Sequence, residues 1–247
     1  MNGQMTVLHF AIIYVAGVVA GFMNVMAGGG SMVTLPVLMW IGLPPAIANA
    51  TNRLGVIFES GIGVKTFRSG GMRFDKSILP AIVAATIGSV IGSMFVSTIP
   101  KDALEIVIAV ALLAVVLLML LKPKRLTFSR PSRVLSTLIF FGVGFYGGFL
   151  QAGVGFFLIG AITFSYGFDL VRTNFTKVLI VFIYTVFALV IFILNGMIYW
   201  IPGLVLAAGN IVGAYFAARL SIRKGSGFVR WILLIIVVAN AIKYLLF

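Results

Sequence analysis

Gly21-Phe22-Met23-Asn24 recurs as Gly148-Phe149-Leu150-Gln151, and much of the chain recurs with it. Ala27-Gly28-Gly29-Gly30 returns as Ala152-Gly153-Val154-Gly155, and Asn49-Ala50-Thr51 as Asn174-Phe175-Thr176. Gly71-Met72 returns as Gly196-Met197, and Gly88-x3-Gly92 as Gly209-x3-Gly213. The offset drifts from 127 through 125 to 121, as a few small deletions would produce. A chain written twice must fold as two related halves that share an interface. The reading is two repeats, 1–125 and 126–247, forming one integrated domain.

The solvent of that domain follows from composition. The chain is 62% hydrophobic and 9% charged, with mean hydropathy +1.20. Soluble domains carry about 25% charged residues. So much apolar surface needs a bilayer, and apolar runs that satisfy their own backbone there are helices. The expected fold is an all-α integral membrane protein, with room for roughly eight to ten spans. No extramembrane domain fits, and the first six residues lack the positive region of a signal peptide. The absence of cysteine excludes disulfides and thiolate metal sites. His9, the only histidine, reads as an interfacial side chain. The net charge of +13 reads as basic cytoplasmic loops rather than nucleic-acid binding.

Apolar runs between breakers give five segments per repeat. They are 6–26, 31–42, 47–67, 77–98 and 103–121, then 134–151, 154–167, 171–194, 200–219 and 229–247. The second of each set is too short to span comfortably, so the first two read as a broken or hairpin unit. Thirteen of the 18 basic residues fall in three clusters: Lys65 to Lys76, Lys122 to Arg133, and Arg219 to Arg230. All three should face the cytoplasm. The loop equivalent to the first cluster, Asn195 to Trp200, is uncharged. Equivalent loops therefore lie on opposite sides, which makes the repeats inverted and puts both termini outside.

Irregular backbone at membrane depth must be buried in protein or line a cavity. The glycine breaks Gly28-Gly29-Gly30 and Gly153-Val154-Gly155 are thus candidate binding elements, with Ser31, Asn24 and Gln151 beside them. A helix starting after such a break offers N–H groups to an anion. A second candidate set opens the third segment of each repeat: Asn49, Thr51, Asn52 and Arg53, then Asn174, Thr176 and Lys177. A cation at a helix start opposes the dipole, which points to function. Snorkelling anchors are the plainer alternative. Glu59 is an embedded acid and a candidate for coupling, whereas Tyr184 stands at its place in the other repeat. Gly17-x3-Gly21, Gly88-x3-Gly92 and Gly209-x3-Gly213 read as close helix packing. Nucleotide-binding, zinc-protease and serine-hydrolase motifs are absent, and no cofactor is expected.

The run Gly21-Phe22-Met23-Asn24-Val25-Met26-Ala27-Gly28-Gly29-Gly30-Ser31, with Leu43-Pro44-Pro45 and Asn49-Ala50-Thr51-Asn52-Arg53, resembles the first repeat of the TauE/SafE sulfite exporter family. Asn174-Phe175-Thr176-Lys177-Val178 through Ile183-Tyr184-Thr185 resembles the second. The likeness implies a permease, not an enzyme, for a sulfur-containing anion such as sulfite or an organosulfonate. One departure is that Val154 replaces the middle glycine, so the two breaks are not equivalent. A channel-like or metal/cation permease, or a membrane enzyme or assembly factor, are the competing readings. The former needs an acidic or carbonyl-rich pore, and the chain has five acids in all. Expected partners are a small anion, the bilayer of an inner membrane and a second copy in a homodimer, with no nucleic acid.

Overall fold

A computed structural model describes residues 5–99 and 131–246. The segment expected at 103–121, the repeat boundary and Lys122 to Arg130 lie outside the described residues. Regular structure within them is helical: α1 (Val7–Met26), α2 (Ser31–Trp40), α3 (Pro45–Ser69), α4 (Leu79–Thr98), α5 (Arg133–Phe149), α6 (Val154–Tyr166), α7 (Leu170–Leu194) and α8 (Trp200–Leu246). A 3-10 turn at Lys76–Ile78 leads into α4.

Among the described residues, four stretches are long and apolar enough to cross a membrane: Val7–Met26, Lys76–Val96, Leu170–Leu194 and Trp200–Ile232. Helices α2, α5 and α6 are apolar but shorter. Helix α3 has 25 residues but carries Asn49, Asn52, Arg53 and Glu59 within it. Such a helix cannot face lipid on that side, and the structure buries all four in protein.

Local chemistry explains the helix ends. Pro44-Pro45 starts α3, where a missing N–H costs nothing. Gly71 and Gly196, at φ of 92° and 65°, end α3 and α7. Met72 N donates to Phe67 O and Met197 N to Phe192 O, closing the same C-terminal motif twice. The repeated Gly-Met pair is therefore a helix stop. The segments expected at 200–219 and 229–247 are two helical stretches that meet at Gly225, whose φ of 72° and ψ of −174° are not helical; α8 names the two together. Arg219, Arg223, Lys224 and Arg230 are exposed around that kink.

Packing is paired across the halves. Helix α1 lies against α8 and α4 against α5, while α3 and α7 touch at the centre. A Cβ on Gly88 or Gly92 would strike the carbonyls of Phe141 or Phe145. One on Gly209 or Gly213 would strike those of Tyr14 or Val18. Gly17 and Gly21 likewise meet Leu206 and Asn210, as Gly144 and Gly148 meet Ala85 and Ser89. These contacts map onto one another at the sequence offsets. Small residues bring the backbones together, the usual basis of helix association in lipid.

Candidate functional site

Helices α1 and α5 both stop inside the protein, which strands carbonyls that water cannot reach. At the end of α1, Ala27 N and Gly28 N both return to Met23 O, and Gly28 has φ 93°. Val25 O then accepts from Lys177 Nζ at 2.9 Å, and Met26 O from Asn174 Nδ2 at 3.1 Å. Lys177 Nζ also donates to Asn174 Oδ1 at 2.9 Å. At the end of α5, Arg53 Nη1 donates to Gly147 O at 2.5 Å and Nη2 to Gly148 O at 2.7 Å. Asn49 Nδ2 donates to Phe149 O at 2.7 Å. Each asparagine and cation therefore holds the broken helix of the other half.

This arrangement has an electrostatic reason. A helix C-terminus carries partial negative charge, and a cation there contributes up to about 2 kcal/mol when partly buried. Arg53 and Lys177 are 0% and 1% exposed, so neither snorkels to an interface. The structure corrects the sequence reading of their placement. They lie about two turns inside α3 and α7, beyond the first turn where a cation opposes the dipole. Their charge answers the negative ends of α5 and α1 instead.

The other candidates fall around this frame. Asn52 Nδ2 donates to Ser31 Oγ at 3.0 Å and its Oδ1 accepts from Thr34 Oγ1 at 2.7 Å, tying α3 to the first turn of α2. Thr51 Oγ1 accepts from Tyr199 N at 3.0 Å, so it braces the start of α8 and not the break. Thr176 is buried beside Lys177. Asn24 Oδ1 accepts from Gly30 N at 2.7 Å, fixing the first break. Gly29 O accepts from Met32 N at 3.1 Å in the first turn of α2. Gly153, at φ 71°, caps the start of α6. Gln151 has φ 65°, a backbone that costs a non-glycine residue about 1–2 kcal/mol. Its Oε1 accepts from Arg53 Nη1 and, at 3.2 Å, from Tyr184 Oη.

The two breaks touch. A Cβ on Gly28 would collide with the Gly155 backbone, and one on Gly155 with Gly28. Between them lies a cavity of about 20 Å³ lined by Asn24, Glu59, Gln151, Lys177 and both glycines. That is room for about one water. A ligand of several heavy atoms does not fit in it. Glu59, 2% exposed, accepts from Asn24 Nδ2 and Asn210 Nδ2, each at 2.6 Å. A separate cavity of about 500 Å³ between α3, α7 and α8 is walled by Leu54, Phe58, Phe182 and Leu204 and does not reach this centre. Another, of about 450 Å³, is lined by Lys76, Arg133, Ser136 and Thr137. Such cations attract anions toward one end of α4 and α5.

Sequence reasoning missed Asn210 and the hydrogen-bonding part of Tyr184. Asn210 is the polar residue within Gly209-x3-Gly213, and Ser89 holds the matching place in Gly88-x3-Gly92. A lone amide inside a small-residue stripe was the available signal. His9 takes part in the capping of α1, where its Nδ1 meets Thr6 Oγ1 at 2.7 Å, and its ring lies 5.3 Å from that of Trp40. Among the described residues, no three of His, Cys, Asp and Glu come together as a metal site would need.

Apolar helices that could span a bilayer, with α1 and the shorter α5 ending at breaks around a buried charged centre, define a membrane transporter. The chain matches the model of the family "Sulfite exporter TauE/SafE" over residues 13–244, and it belongs to that family. It is 31% identical to "Probable membrane transporter protein ORF9" of Sinorhizobium, covering 95% of this chain and 92% of that protein. It is 30% identical to "Probable membrane transporter protein YfcA" of Escherichia coli K12, covering 96% and 90%. A Haemophilus influenzae "Probable membrane transporter protein" is also 30% identical, covering 89% and 88%. No solved structure matches the chain.

Proposed function

We propose that the protein is a secondary transporter for a small sulfur-containing anion, such as sulfite or an organosulfonate. The observation that carries this reading is the meeting of the breaks at Gly28 and Gly155 beside two buried cations, Arg53 and Lys177. Buried cations exceed buried carboxylates there by two to one, with Glu59 the carboxylate. That balance favours an anion over a metal or other cation. Transport, not catalysis, is the activity of this reading. The family model's own name points to sulfite.

In this reading the halves, 1–125 and 126–247, are inverted repeats in an inner membrane, with both termini outside and a homodimer as the assembly. The paired contacts of α1 with α8 and α4 with α5 support a two-fold relation of the halves. The water-sized cavity represents the occluded form, and separation of the breaks admits the anion. Backbone N–H groups of the breaks, Asn24 and Gln151 would contact it, with Asn52 and Ser31 holding α2 in place. The test is radiolabelled sulfite flux into proteoliposomes, with an unrelated cation as control. Flux of the cation but not of sulfite would overturn the anion reading.

A further inference from the structure

Glu59 has surroundings that suit two protonation states. Both carboxylate oxygens accept from amide N–H groups, one from Asn24 and one from Asn210. The two amides differ in their freedom. Asn24 Oδ1 is committed to Gly30 N, so turning that amide would release the break. Asn210 Oδ1 is buried and has no partner. Rotating the Asn210 amide sacrifices no bond at that oxygen and presents it to Glu59 as an acceptor. A proton on Glu59 Oε2 then has a ready acceptor. The other half lacks this pair, because Tyr184 and Ser89 occupy the equivalent places.

Glu59 also shares its small cavity with Lys177 and Gln151. The charged and titratable groups that face it come from α7 and are Lys177 and Tyr184. Helices α1 and α8 bring amides to it. Arg53, on the same helix, is turned to the carbonyls of α5. An anion entering beside Lys177 therefore lies against an ionised carboxylate, and that repulsion disappears once the carboxylate is neutral.

We propose that Glu59 takes up a proton as the anion enters, with Asn210 as the residue that adapts to it, so that anion and proton travel together. This rests on the anion-transport reading above. The proton comes from hydronium of the bulk solvent, leaving neutral water, and binds Glu59 Oε2; the new O–H donates to Asn210 Oδ1, and no bond of the anion breaks. Linkage is reciprocal: the anion raises proton affinity, and lower pH raises anion affinity. Where Glu59 is ionised when free and protonated when bound, affinity falls about tenfold for each unit rise in pH.

The experiment is infrared difference spectroscopy on protein in nanodiscs, before and after adding sulfite or methanesulfonate. Methanesulfonate does not titrate near neutrality, so its pH dependence belongs to the protein. Binding is followed in the same samples by thermal shift. The expected result is a protonated-carboxyl band on anion binding, absent in Glu59→Gln, whose anion affinity is also flat with pH. Asn210→Ser keeps an acceptor of the kind found at Ser89 and should retain the band. Asn210→Val should lose it, and if that variant does not fold, the Glu59→Gln and Asn210→Ser spectra still decide. Anion binding with no carboxyl band overturns the proton linkage and leaves anion binding intact. No shift with either anion overturns the transport reading itself, and the linkage with it.

Discussion

Lys177 Nζ lies 2.9 Å from the carbonyl oxygen of Val25, a residue 152 positions away in the other half of the chain. Arg53 makes the matching bonds to Gly147 and Gly148. Each broken helix is thus held by a cation on the central helix of the opposite half. A carrier that moves one half against the other must strain or break these bonds, which makes them sensitive to substitution.

Lys177→Met should leave Val25 O and Asn174 Oδ1 without a donor in a dry interior. A destabilisation of about 2–3 kcal/mol is expected from the stranded acceptors. Adding Glu59→Gln removes the negative charge that Lys177 faces across the cavity. The double variant should lose less than the sum of the singles, by about 0.5–3 kcal/mol. Reversible unfolding in mixed micelles measures both quantities. Strict additivity would show that Lys177 and Glu59 are independent.

Arg53→Lys keeps the charge but not the fork that reaches two successive carbonyls and Gln151. It should cost about 1–3 kcal/mol and slow transport, with Arg53→Gln worse on transport. Unchanged unfolding and unchanged flux in Arg53→Lys would show that the bonds to α5 carry little.

Gly155→Ala should be damaging, because its Cβ would enter the backbone of Gly28. Overpacking of this kind costs about 1–3 kcal/mol and holds the breaks apart. The expected outcome is a folded, inserted protein with little flux. Substitution at Gly142 or Gly160, where a Cβ meets nothing within 4 Å, is the control and should be mild.

Ser69 and Asn195 are exposed at the ends of α3 and α7. Inverted halves place these ends on opposite membrane faces. Single cysteines can be introduced cleanly, since the chain has none. Ser69→Cys should be shielded from an impermeant reagent added outside, whereas Asn195→Cys should react. Labelling of both from one side would exclude the inversion.

Asp75 accepts from Ser77 N and pairs with Arg172 at 2.6 Å, joining the loop after α3 to α7. The Ser77 hydrogen bonds, more than Arg172, hold its carboxyl below the usual carboxylate range. A depressed carboxylate stabilises the fold above its unfolded pKa of about 4, and that contribution is lost as pH falls through the folded value. Asp75→Asn should therefore lower the unfolding temperature at pH 7 more than at pH 3. The pair is partly exposed, so added salt should shrink the difference.

Much of the frame was legible in the residues alone. The apolar runs placed α1 to α7 within about two residues, because lipid and buried contacts both demand apolar faces and glycine or proline ends them. The recurrence of Gly-x3-Gly and of Asn with a cation marked the positions that later prove to touch across the halves. What only the tertiary structure decided is the direction in which those side chains act. Sequence could not tell a cation opposing its own helix from one capping a helix in the other half, since that depends on where α1 and α5 stop in space. Nor could it join Glu59 to Asn210, 151 positions apart, because the contact exists only where glycines let α8 lie close to α1 and α3. Local chemistry set the helices and their breaks; burial of stranded carbonyls and charges set their partners.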